Sequence, residues 1–211
     1  MENKQKDIKD LTEYWDTILP NKCFLCELHR SRKQIVKSRG SGQNGIMFIG
    51  EGPGEQEDIE GVSFIGPSGN CLDILIKKAD IDPKDCYFTN SVKCRSLYNG
   101  RNAKPKLEMI KKCSSLLTQE ILIIKPKIII TLGASALTAM TLKIDPLVTI
   151  GQVKGKIYYP KLKDIEIPYI VTYHPSYVLR QSDKFGQIKE GTVFNEVVKH
   201  ILLAKNVREI S

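Results

Sequence analysis

The stretch Ile46-Met47-Phe48-Ile49-Gly50-Glu51-Gly52-Pro53-Gly54-Glu55-Gln56-Glu57-Asp58 decides the fold. Four consecutive apolar residues suit a strand covered on both faces, as in a parallel sheet. Gly50, Gly52, Pro53 and Gly54 then force a turn and let backbone approach a ligand closely. The loop resembles a phosphate cradle, but no Gly-Lys-Ser/Thr follows, and Glu55 stands where a dinucleotide fingerprint needs its third glycine. Glu51, Glu55, Glu57 and Asp58 would repel phosphate. Backbone amides and carboxylates arranged in this way suit a neutral ligand and a water instead.

Working outward, further short apolar runs precede polar or glycine residues. They are Cys86–Asn90, Lys127–Gly133 and Ile167–Tyr173, the last closed by His174-Pro175. Apolar residues at helical spacing lie between them: Leu72, Leu75, Ile76 and Ala79 after the Gly66–Gly69 loop, and Leu107, Ile110, Leu117, Ile121 and Ile124 in a helix over 106–124. A last helix is expected over 193–204, and residues 150–160 read as a hairpin-like excursion. Residues 1–22 read as a helical lead-in, and 96–105 as a polar, basic loop. Strand–helix alternation predicts an α/β fold: a three-layer α/β/α sandwich around a central, mostly parallel four-stranded sheet, all in one domain spanning 1–211. Ligands of such sheets sit beyond the carboxyl ends of the strands. Gly50-Glu51, Asn90, Gly133 and His174 should therefore share one edge.

Composition narrows the function. The 211 residues carry 32 basic and 24 acidic side chains, a net charge of +8, which is compatible with a polyanionic partner such as nucleic acid. No run of eighteen apolar residues exists, so no membrane span is expected. The charged N-terminus lacks an apolar signal core, and a cytoplasmic protein is expected. Six cysteines in such a compartment point to ligation rather than disulfides. Cys23 and Cys26 form a C-x-x-C pair, with Cys94 and Cys113 far downstream. Four thiolates suit zinc or a four-iron cluster, and the lack of a second C-x-x-C tilts the balance toward the cluster. Cys71 and Cys86 fit small buried side chains.

Four segments together carry a family resemblance: Gly50–Asp58, Phe64-Ile65-Gly66-Pro67-Ser68-Gly69, Thr89-Asn90-Ser91-Val92-Lys93-Cys94-Arg95, and His174-Pro175-Ser176-Tyr177-Val178-Leu179-Arg180. In order and spacing they resemble the family 4, iron–sulfur, uracil-DNA glycosylases. The resemblance implies hydrolysis of the N-glycosidic bond of deoxyuridine in DNA, a monomer, and a structural [4Fe-4S] cluster on Cys23, Cys26, Cys94 and Cys113. It also implies roles for the site. Phe64 would stack on a flipped uracil, and the Asn90 amide would match O4 and N3–H. His174, with backbone amides near Gly52, would stabilise charge on O2. Glu51 or Glu57 would place the water. Leu179 would wedge into the space the base leaves, and Arg180 would hold phosphate. Lys93, Arg95 and Arg101 could add backbone contacts. The 96–105 segment departs from the family pattern, which has an Arg-Pro-Pro stretch there, and the Lys-Arg-Arg-Ile-His insertion through which a related branch binds uracil DNA covalently is not present in this sequence. The competing reading is a non-catalytic nucleic-acid-binding module with a zinc site and a degenerate pocket.

Overall fold

The computed structural model describes residues 13–18, 23–143, 148–160, 166–181 and 191–210. Much of the expected helical lead-in, including Leu11 and Leu19, lies outside them. Within it, Tyr14–Ile18 forms one helical turn, tied down where the Tyr14 hydroxyl donates to the Leu116 carbonyl at 2.9 Å.

The stretch Ile46–Gly50 is β1, fully buried along its length. It pairs in parallel with β2 (Tyr87–Asn90) on one side. On the other it pairs with β5 (Ile128–Leu132), which in turn pairs in parallel with β7 (Tyr169–Thr172). Side chains alternate across the sheet. Met47 and Ile49 enter one apolar cluster with Ile110, Leu117 and Ile121 of α3 (Leu107–Ile124). Ile46 and Phe48 enter the opposite cluster with Leu72, Leu75 and Ile76 of α2 (Pro67–Lys78) and Phe194, Val197 and Ile201 of α7 (Thr192–Ile210). Two apolar faces covered by helices make the three-layer sandwich expected from the sequence.

Four details differ from the sequence expectation. The sheet has five strands, in the order β2-β1-β5-β7-β6, rather than four. The extra strand β6 (Ile157–Tyr158) runs antiparallel to β7 and follows a short helix, α5 (Ile150–Val153), so the 150–160 segment is a helix and an edge strand. The acidic loop winds into a short helix, α1 (Glu55–Glu60), because Gly54 is an extended N-cap and the acidic first turn complements the helix dipole. The 96–105 segment contains a two-stranded hairpin, β3 (Leu97–Tyr98) and β4 (Arg101–Asn102). Two helices complete the site edge: α4 (Ala134–Thr141) after β5, and α6 (Pro175–Leu179) after β7. No helix among the described residues is long and apolar enough to cross a membrane.

Candidate active site

A cleft of about 560 Å³ opens at the carboxyl edge of the parallel strands. Glu51, Gly52, Glu57, Phe64, Asn90 and His174 all line it, which brings together six residues singled out from four separate segments. Leu179 and Arg180 do not line it. Leu179 packs partly against the apolar cluster beneath α7. Arg180 is exposed, 5.5 Å from the Tyr177 ring and donating to Ser176 Oγ at 3.4 Å.

Each cleft side chain is held by a neighbour. Asn90 ends β2 directly opposite Gly50 in the register. A Cβ on Gly50 would run into both the side-chain Oδ1 of Asn90 and the Phe64 ring, so glycine there lets the two meet across the strand end. The Asn90 Nδ2 donates to Ser63 Oγ at 3.3 Å, which fixes the amide plane and leaves its Oδ1 and a second N–H for a ligand. Phe64 adopts φ 57°, a left-handed conformation rare for an aromatic residue. Its carbonyl presses so closely on Gly69 that no side chain fits there. Backbone strain of this kind concentrates at functional sites.

His174 caps α6. Its Nδ1 accepts from the Ser176 backbone N–H at 3.2 Å and lies 2.9 Å from Ser176 Oγ. A backbone amide can only donate, so Nδ1 carries no proton and the neutral ring carries it on Nε2. Burial lowers the His174 pKa from its ordinary value, opposed by the Glu51 carboxylate and assisted by Arg180. The imidazole is thus a neutral donor through Nε2.

The two candidate carboxylates differ in what they do. Both Glu57 oxygens accept from backbone, Oε2 from Gly54 N at 3.1 Å and Oε1 from Gly66 N at 2.9 Å, and the residue is buried. Glu57 therefore staples the acidic segment to the Phe64–Gly69 loop. Glu51 is only half-buried, and one of its oxygens, Oε2, accepts from Ser135 Oγ at 2.6 Å at the start of α4. Its carbonyl accepts from the Ser91 hydroxyl. The serines that hold these groups, Ser63, Ser135 and Ser176, were not singled out from the sequence as positioning residues. They stand in no periodic pattern of their own, and only Ser176 sits inside a motif.

This geometry meets known proteins at two levels. The profile of the uracil DNA glycosylase superfamily matches residues 38–201. A type-4 uracil-DNA glycosylase of Pyrobaculum aerophilum is 36% identical over 169 residues, covering 80% of this chain and 85% of that protein. The chain belongs to the type-4 uracil-DNA glycosylases. Proteins of the same description from Saccharolobus solfataricus, 40% identical over 75% of this chain and 73% of that protein, and from Thermotoga maritima, 38% identical over 75% and 79%, agree.

In this type-4 glycosylase four of the six cysteines lie around a second cavity, away from the cleft. Cys23, Cys26, Cys94 and Cys113 are all unpaired and line one small cavity with Leu25, Leu28, Ile35 and Leu116. Arg32 Nη1 donates to Cys94 Sγ at 3.4 Å and to the Cys23 carbonyl at 2.9 Å. Burial pushes the Cys94 thiol up to about 11 and Cys113 up to about 12. Among the described residues, no three such side chains converge where one metal ion could sit. The donor set itself fits a thiolate-bound group: four sulfurs, apolar walls, and the cationic Arg32 and Lys93 beside them. Cys71 and Cys86 are buried elsewhere, their thiols both pushed up to about 11, as small core side chains.

Proposed function

We propose that the chain hydrolyses the N-glycosidic bond of deoxyuridine in DNA, releasing uracil and leaving an abasic site. The observation that carries this is the gathering of Phe64, Asn90, His174 and Glu51 around one cleft, with His174 held as a neutral Nε2 donor. The uracil must leave the base stack to reach it. Phe64 stacks on the ring. Asn90 donates to O4 and accepts from N3–H, a pattern that cytosine inverts, so an amide fixed by Ser63 rejects cytosine.

As the C1′–N1 bond breaks, its electron pair passes to the base and charge gathers on O2. His174 Nε2–H and backbone amides near Gly52 stabilise that charge, each donor of this kind contributing about 10²-fold or more. The sugar develops oxocarbenium character, and a water adds at C1′ while its proton is lost to solvent or to a carboxylate. Glu51 orients that water and stabilises the cation. It has one anchored oxygen, whereas both oxygens of Glu57 are engaged by backbone. Leu179 ends α6 and Arg180 follows as its C-cap, both outside the cleft, where they meet the DNA flanking the flipped nucleotide.

Cys23, Cys26, Cys94 and Cys113 would hold a [4Fe-4S] cluster, which when bound supplies a structural cross-link among the N-terminal segment, the end of β2 and α3. Purified protein should carry iron and absorb in the visible. Cys113→Ser should lose the iron and melt at lower temperature, whereas full iron retention would overturn the ligand set. The protein would act as a monomer in the cytoplasm.

The decisive assay incubates the protein with an oligonucleotide carrying one deoxyuridine and then adds alkali. Scission at the uracil is expected, and its absence would sink the proposal. Glu51→Gln should lower kcat about 100-fold or more with KM little changed. Glu57→Gln should instead lower thermal stability, and a reversed pattern would exchange the two roles.

A further inference from the structure

The hairpin β3–β4 is unexplained by the chemistry of the cleft. Its turn, Asn99-Gly100, has φ 50° and 73°, both left-handed, as a tight two-residue hairpin turn requires. Its base is braced: Ala103 N donates to Ser96 O at 2.9 Å, and Arg95 bridges Asn102 at 2.7 Å and Glu55 of α1 at 3.2 Å. Ser96, Asn102, Ala103 and Pro105 form one wall of the cleft.

Cross-strand pairing then fixes what each face presents. Leu97 opposes Asn102, and Tyr98 opposes Arg101. Neighbours along a strand point to opposite sides. Because Asn102 lines the cleft, Tyr98 and Arg101 stand together on the outer face of the wall. Tyr98 is 73% exposed, the most exposed large apolar side chain among the described residues. Arg101 and the nearby Lys104 are also exposed. An aromatic ring beside a guanidinium, held at a rim by a braced turn, is the combination that captures single-stranded nucleic acid.

We propose that this outer face is a DNA-engaging surface. Tyr98 stacks on an unpaired base next to the flipped nucleotide, and Arg101 contacts an adjoining phosphate. The inference rests on the glycosylase reading for its geometry, because a strand that delivers a base into the cleft must cross the cleft's mouth, where the hairpin stands.

The test measures affinity for a single-stranded oligonucleotide carrying 2′-fluorodeoxyuridine, whose glycosidic bond resists hydrolysis. Uracil excision by the wild-type protein is measured in parallel on the ordinary substrate. Tyr98→Ala should weaken binding about tenfold, and Tyr98→Phe should retain it, as stacking requires. Arg101→Ala should reduce the slope of log affinity against log salt by about one. A 2-aminopurine beside the uracil should change fluorescence on binding the wild type but not Tyr98→Ala. Wild-type affinity in Tyr98→Ala together with a wild-type salt slope in Arg101→Ala would overturn the inference, even if uracil is excised. Hairpin-dependent binding without excision would overturn the glycosylase reading alone.

Discussion

At the scale of single residues, the site depends on groups whose freedom has been removed. His174 is the clearest case. Its folded pKa lies below the ordinary histidine value of about 6.5, because burial disfavours the charged ring. The sign of the consequence follows. Below about pH 6.5 the unfolded chain binds a proton that the folded chain refuses, so this contribution to stability is fully present above that pH and is lost as pH falls toward the folded value. Glu51 opposes the shift and Arg180 assists it, so Arg180→Gln should raise the His174 midpoint. His200, also lowered by burial and by Lys154, adds to the same loss. Nitrogen-detected NMR should find His174 neutral at pH 7 with the proton on Nε2. A ring protonated at pH 7, or a proton on Nδ1, would contradict the geometry. The residues that gather around the cleft were legible in the sequence, because each sits at a break between an apolar run and a glycine, proline or polar motif. The division of labour between Glu51 and Glu57 was not. Both are acidic residues of one loop, and only the fold shows that Glu57 spends both oxygens on backbone amides.

At the scale of elements, the link between β2 and α3 stands out. Lys93 is almost fully buried and donates to the Asn90 carbonyl at 3.0 Å, to Thr89 Oγ1 and to Glu120 of α3. Glu120 also accepts from Thr89 Oγ1 at 2.8 Å, and the Tyr87 hydroxyl lies 3.1 Å from it and 2.6 Å from Ser38 Oγ. A charge pair removed from water is costly to break and cheap to replace as a unit. Lys93→Met should therefore destabilise the protein by about 3–5 kcal/mol, because it strands the Glu120 carboxylate. The double variant Lys93→Met, Glu120→Leu should recover most of that loss in urea unfolding. Equal losses in the single and double variants would refute the pairing argument. No sequence pattern links residues 93 and 120, since a long-range ion pair leaves no periodicity. Two other elements did leave signals. Gly54 three residues before Glu57, with the acidic Glu55 between, marks a helix start, and Asn99-Gly100 is a strong short-range hairpin signal. In both places the density of turn residues obscured a short element.

At the scale of the whole molecule, the alternation of strands and helices made the layered architecture and the position of the site legible, because parallel strands bring all their carboxyl ends to one edge. The fifth strand was obscure because β6 has only two residues, too few for any period to show. That brief strand also has a consequence for behaviour in concentrated solution. Long, flat sheet margins invite strands from other molecules. Here the margin at β7 is closed by two residues of β6. At the opposite margin Arg39 exchanges both backbone hydrogen bonds with Phe88 of β2, at 3.1 and 2.9 Å. Neither margin among the described residues presents a row of open amides long enough to template a neighbour. The sheet can thus hold a reactive cleft at its edge without becoming a seed for aggregation.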